Sequence, residues 1–377
     1  METKTQIIMK KLLLLILLIS ITDGFSQTNL PVPDHTVILI LENHAYQQII
    51  GSAEAPYINA LASNSKSALF INSYAIEHPS QPNYLDLFSG CNQGVSHNDI
   101  PTDMPFTTDN LARQLLDAGK TFITYSEDLP SVGFNGSSSG RYVRKHNPVA
   151  NWMGTGTNQV PETMNQPFTA FPSEDFNLLP DVCYVVPNQD DNMHDGSITT
   201  ADNWINDHLS TYVEWAKNNN SLFILTFDED NYVSNNHIVT IFTGNIVIGG
   251  EYSESIDHYS VLRTIENMHG LPYACNASIA TTITECWNSP NDIHSSEIIF
   301  SVYPNPANQM VTIEISDHYI LNRLKLSFFN ILGEKVKEIP INASLARIQV
   351  DELKPGLYLY QLENEQRVLK TAKMIIE

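Results

Sequence analysis

The residues of this chain best able to do chemistry fall into four short polar clusters. Ser80 stands between two prolines in the stretch Glu77 to Gly90, EHPSQPNYLDLFSG, and an apolar helical pattern follows at Tyr84, Leu85, Leu87 and Phe88. A serine there is by default a helix N-cap. Glu42-Asn43, Asp228-Glu229 and Ser80 together offer oxygen ligands only, a set that suits a hard divalent cation such as Ca²⁺, Mg²⁺ or Mn²⁺. A cation on Ser80 lowers the pKa of its hydroxyl and makes it a nucleophile for a phosphate ester, which a free serine near neutral pH is not. Either carboxylate taken alone reads as a solvated loop residue or a cap; the combination favours a site. Asp190 and His194 lie four apart, and with His258 they suit a second metal, Zn²⁺ or Fe, or a cationic phosphate clamp. Asn83, three residues after Ser80, returns to the same side of the first helical turn, where its amide can donate to a phosphate oxygen beside the free N–H groups. Arg141, Arg144, Lys145 and His146 form a rare basic cluster, in which His146 reads as phosphate-facing. His194 and His258 are the candidate proton carriers.

Three of these clusters share one location. The run Thr36 to Leu41, TVILIL, is a strand buried on both faces and ends at Glu42. Asp181 to Val186 is a strand that ends just before Asp190, and Ser221 to Phe227 ends at Asp228. Further strands are expected at Ala68 to Tyr74, Thr121 to Tyr125 and His237 to Phe242. Helices are expected near Pro56 to Ser63, after Ser80, and over Asp109 to Ala118, Thr200 to Ala216 and His258 to Met268. Residues 130–180 read as a long ordered excursion, because aromatics recur in it. Alternating strands and helices imply an α/β fold, a mostly parallel sheet flanked by helices, which binds ligands at the carboxyl ends of its strands.

The whole chain sets limits on partners and location. Its 377 residues suggest one large domain with an added module, and the net charge of -22 repels nucleic acid and anionic membranes. A phosphate substrate then needs a local positive centre. Residues 1–26 read as a signal peptide, with Lys10 and Lys11 before the apolar run Leu12 to Ile21; no later segment is long enough to span a bilayer, so a soluble, exported protein is expected. Residues 27–288 form the catalytic domain, 289–297 a polar linker, and 298–377 a small all-β sandwich of short alternating strands. Four cysteines in an exported chain allow three pairings, and Cys275 with Cys286 is the first expectation.

Two enzyme classes are disfavoured. Ser80 has no G-x-S-x-G elbow, and Tyr84 stands where a sulfatase motif carries Arg. Residues 35 to about 272 resemble the bacterial phosphoesterase family of acid phosphatases and phosphatidylcholine-preferring phospholipases C, within the alkaline-phosphatase-like superfamily. Glu42-Asn43-His44, His78 to Tyr84, Lys145-His146-Asn147-Pro148, His194-Asp195-Gly196 and Thr226-Phe227-Asp228-Glu229 carry the likeness. It implies Ser80 as nucleophile through a phosphoenzyme, a metal on Glu42, Asn43, Ser80, Asp228 and Glu229, and phosphate contacts from histidine and Asn83. The alternatives are a phospholipase C-type phosphodiesterase and a non-catalytic surface binding protein. Residues 298–377 resemble the C-terminal sorting domain of type IX secretion substrates, through Tyr303-Pro304-Asn305-Pro306, Gly356-Leu357-Tyr358 and Lys373 to Ile376. That implies the type IX machinery as a partner and a location outside the cell or on its outer surface, reached through the periplasm.

Overall fold

The structure, a computed structural model, describes residues 30–288, 300–315, 324–341, 343, 345–363 and 368–377. The expected signal peptide, 1–26, and linker, 289–297, lie outside the described residues. Two compact units divide near residue 292.

The first unit is built on an eight-stranded sheet: β1 His35–Leu41, β2 Ser67–Tyr74, β3 Phe122–Ser126, β4 Asn165–Pro167, β5 Val182–Val186, β6 Ser221–Phe227, β7 Thr240–Thr243 and β8 Gly250–Asp257. The order across it is β8-β2-β7-β6-β1-β5-β3-β4. All pairings are parallel except those of β7, which runs antiparallel to both β2 and β6. The expectation of a mostly parallel sheet with helices on both faces holds. The strand expected over His237 to Phe242 starts later, at Thr240, and β8 carries no apolar run in sequence. It is an edge strand with an exposed polar face, GEYSESID, so no hydrophobic periodicity marks it.

β1 shows why its run is continuously apolar. Ile38 and Ile40 enter the core on one face, and Val37, Leu39 and Leu41 the core on the other. Helices α2 Ser80–Ser89, α3 Leu111–Asp117 and α5 His258–His269 cover the first face; α1 Pro56–Ala62 and α4 Ile198–Ala216 cover the second. Helix α2 is buried along its whole length, so its polar residues need partners inside the protein. Gln81 donates to the carbonyls of His97 and Asp99, and Tyr259 donates to Asp86.

The expected disulfide is corrected. Cys91 pairs with Cys275, with Cα atoms 5.9 Å apart, while Cys183 and Cys286 are buried free thiols. Residue separation misled here, because the pair is closed by packing: Asn276 N–H donates to Gly90 O and brings the two segments together. The excursion after residue 130 is ordered through short strands and 3₁₀ turns around the buried Trp152.

The second unit holds two antiparallel sheets. One orders Phe300–Tyr303, Met310–Ile315 and Leu345–Gln349; the other orders Lys335–Ile341, Leu324–Phe329, Gly356–Glu363 and Val368–Ile376. Val311, Ile313, Ile348, Leu326, Phe328 and Leu362 from both meet in one core, which is the sandwich expected from alternation.

Candidate active site

Parallel pairing sets the acidic cluster. β1 and β6 lie in register with Leu41 opposite Phe227, so Glu42 and Asp228 leave the sheet side by side. Asp228 N–H donates to Leu41 O, and Glu42 N–H to Asn192 O in the loop after β5. The start of α2 points Ser80 into the same place. Ser80 is the first helical residue and Pro79 the cap position, which corrects the N-cap reading: no side chain caps this helix. Its hydroxyl lies 3.1 Å from Glu42 Oε2 and 2.9 Å from Glu229 Oε1. One hydroxyl proton cannot serve two carboxylates.

Glu42, Asp228 and Glu229 are all buried. Asp228 Oδ1 accepts from the N–H groups of Asn43 and Glu229, while its Oδ2 is buried without a hydrogen-bond partner. Burial raises the pKa of each carboxyl; for Asp228 the charges of Glu42 and Glu229 raise it further. Glu42 and Glu229 with the Ser80 hydroxyl between them, and Asp228 with an orphan oxygen next to Glu42, make a hard-oxygen donor set short of positive charge, whose chemistry suits a divalent cation. Asn43 holds a left-handed φ of 55°, which lets its N–H turn toward Asp228.

A second layer of groups touches these carboxylates. Tyr84 Oη donates to Glu42 Oε1 at 2.5 Å, and its own pKa is pushed well up by burial and by Glu42. His78 Nδ1 bonds Glu229 Oε2. His146 is buried; burial holds its pKa well below the usual imidazole value, so it is neutral. Asn192 Oδ1 accepts from His194 N–H, which turns its amide nitrogen to His146 Nδ1 at 3.3 Å and leaves the proton on Nε2. That Nε2 lies 3.1 Å from Glu42 Oε1, outside hydrogen-bond alignment. Lys145 Nζ donates to His194 Nε2 at 3.0 Å, and His194 Nδ1 donates to Asp195 Oδ1 at 2.7 Å. His78, Lys145 and His194 are partly exposed whereas Ser80 is 1% exposed, so they mark the solvent side.

The structure brings Glu42, Asp228, Glu229 and Ser80 together and seats His146 and His194 beside them. It does not assemble Asp190, His194 and His258. Asp190 Oδ1 pairs with Arg141 at 2.5 Å, and Arg141 also bridges to Asp195. His258 Nε2 donates to the backbone carbonyl of Phe227, so that nitrogen is spent on the end of β6 and is not free to carry protons. Glu42, His146 and His194 are instead the close group of potential ligands among the described residues. Asn83 is corrected too. Its Oδ1 accepts from the N–H groups of Ile76 and Glu77, and its Nδ2 donates to Glu77 O and Pro79 O. All four bonding positions are spent ordering the loop before Ser80, and none is left for a phosphate. Arg144 is likewise consumed, by Asn135, Asn151 and Ala150. Tyr84, His78, Asn192 and the contact of Lys145 with His194 are functional features that the linear pattern did not mark. Tyr84, four residues after Ser80, had a usable signal, since that spacing shares a helix face.

Comparison with known proteins identifies the family of the chain. Residues 52–272 match the family model of the Phosphoesterase family, and residues 301–377 match that of the secretion system C-terminal sorting domain. The chain is 45% identical over 268 residues to the phosphatidylinositol-3-phosphatase of Mycobacterium tuberculosis, covering 70% of this chain and 86% of that one. It is 29% identical over 261 residues to the phosphate-repressible acid phosphatase of Penicillium chrysogenum, of which it spans 62%, for 63% of its own length. A protein in the alkaline phosphatase superfamily from Vibrio parahaemolyticus is similar in structure at 12% identity and a TM-score of 0.45, with 77% of each chain covered, too distant a likeness to carry argument. The chain belongs to the Phosphoesterase family and is a hydrolase of phosphoric ester bonds. It ends in a type IX sorting domain, which marks it for export to the outside or the surface of the cell. No described helix is long and apolar enough to cross a membrane.

Proposed function

We propose that the protein is a secreted, metal-dependent phosphatase in which Ser80 is the nucleophile. The observation that supports this most is the position of Ser80 Oγ against Glu42 and Glu229, with Asp228 Oδ2 orphaned beside them. Glu42, Asn43, Ser80, Asp228 and Glu229 would hold the cation, and Ca²⁺, Mg²⁺ or Mn²⁺ suits those oxygens. Such a cation, when bound, supplies the charge that favours the alkoxide form of Ser80. Ser80 gives its proton to Glu229, whose other oxygen faces His78. Its oxygen attacks phosphorus, the bond to the leaving alcohol breaks, and that alcohol takes up a proton. Lys145 and His146 donate to the non-bridging oxygens, and His194, oriented by Asp195, carries the proton from Glu229 to the leaving alcohol. Water then attacks the phosphoserine, releases phosphate and returns a proton to Ser80. Lys145 supplies a positive charge beside His194, so one cation suffices for this mechanism.

Residues 1–26 direct the chain into the periplasm, 27–288 carry the chemistry, and 289–297 join them to the sorting domain at 298–377. The named relatives are phosphatases, which supports a monoester over a phospholipase C substrate. Ser80→Ala, assayed on a general phosphomonoester with divalent cations restored, is expected to lose at least a thousandfold in kcat. Wild-type turnover in that variant would remove Ser80 from the mechanism.

A further inference from the structure

A cleft of about 530 Å³ opens beside the acidic cluster, lined by Tyr74, Ile76, Glu77, His78, Tyr232 and Asn235 among others. It begins one side chain away from Ser80, because His78 bonds the same Glu229 carboxylate that accepts from the Ser80 hydroxyl. Tyr232 stands at its rim. One face of its ring stacks on His78, with centroids 3.9 Å apart and planes 19° off parallel, yet the residue is 68% exposed. Val233 beside it is 67% exposed.

The loop that carries this pair is held, not loose. Asp230 accepts from the N–H groups of Tyr232, Ser234 and Asn236. Asn236 donates from its side chain to Glu77 O across the cleft. Tyr232 adopts φ 65°, a left-handed conformation costly for a bulky residue and kept only where the surroundings enforce it. An aromatic ring held in solvent at such a cost, directly over a group of the reaction site, is poised for a ligand. The cleft lining carries the carboxylates Glu77 and Asp230 and, among the described residues, no Lys or Arg.

We propose that Tyr232 is a specificity-determining residue whose solvent-exposed ring, at the rim of the cleft, contacts the leaving alcohol of the phosphate ester. The ring favours leaving groups with a planar or apolar surface, and the carboxylates turn away leaving groups that carry further negative charge. This rests on the reading of Ser80 as the nucleophile of a phosphatase. The test compares kcat/KM for 1-naphthyl phosphate, glycerol 2-phosphate and inorganic pyrophosphate in the wild type, Tyr232→Ala and Tyr232→Phe, using the full chain with divalent cation. The ratio of naphthyl to glycerol ester is expected to fall about tenfold in Tyr232→Ala and to stay at the wild-type value in Tyr232→Phe. Taking the ratio cancels the intrinsic reactivity of the esters and any general damage to the site. An unchanged ratio in Tyr232→Ala overturns the proposal, as does a wild type that prefers pyrophosphate to the naphthyl ester. A wild type inactive on all three overturns the phosphatase reading itself and takes this inference with it.

Discussion

Asp228→Asn separates binding from stability at the acidic cluster. Asp228 is buried between Glu42 and Glu229, and its Oδ2 has no hydrogen-bond partner. For charges about 4 Å apart at an effective dielectric of about 20, a like-charge pair costs about 4 kcal/mol. Some of that repulsion is relieved in the metal-free protein by proton uptake, so the net gain from neutralising Asp228 is about 3 kcal/mol near pH 7.5. Asparagine also places a donor where Oδ2 lacks one, facing the Glu42 carboxylate. For a unit of this size about 3 kcal/mol corresponds to a rise of roughly 6–12 °C in Tm. The wild type gains stability instead from the cation, by about 2.7 kcal/mol at a hundred times its Kd. Thermal unfolding in EDTA and then with excess Ca²⁺, Mg²⁺ or Mn²⁺ reads both effects. In EDTA the variant should melt above the wild type; with cation the wild type should rise and the variant stay nearly flat, with hydrolysis lost. A variant that melts below the wild type in EDTA, or that responds to cation as strongly, would refute the account of this cluster as a charge-starved cation site.

Asn83→Ala should cost about 1–3 kcal/mol in denaturant unfolding, because it strands the half-buried N–H groups of Ile76 and Glu77. A residue contacting phosphate would instead raise KM and spare stability. Burial raises the carboxyl of Glu266 from 4.5 to about 8; its Oε2 and the nearby Gln114 Oε1 are both buried without a hydrogen-bond partner. The folded protein therefore keeps a proton that the unfolded chain releases, and this contribution to stability is full below about pH 4.5 and lost as pH rises toward about 8. Glu266→Gln should remove that slope, matching the wild type at pH 4.5 and exceeding it at pH 8.5 by about 1–3 kcal/mol in urea unfolding; equal pH slopes in the two proteins would count against it.

Much of the site was legible because parallel strands announce themselves. TVILIL and SLFILTF are long apolar runs with abrupt polar ends, and a parallel sheet must put those ends on one edge, so Glu42 and Asp228 could be paired without coordinates. Roles that depend on side-chain direction were not legible. Asn83 has the right spacing to face Ser80, yet its amide turns back to the loop, because four backbone groups there had no other partner. His258 and Asp190 follow the expected strands, but one bonds the backbone of β6 and the other pairs with Arg141.

By itself the sequence determined the central strands, their covering helices and the polar clusters at the strand ends, since these follow from local periodicity and chain punctuation; the polar edge strand β8 left no such mark. Tertiary structure alone decided which of those polar groups meet. It joined Cys91 to Cys275 across the chain, ran β7 against its neighbours, and put Tyr84 and His146 on Glu42. Contacts of that kind are set by which buried donors and acceptors must satisfy one another in a closed core, and linear spacing carries no record of them.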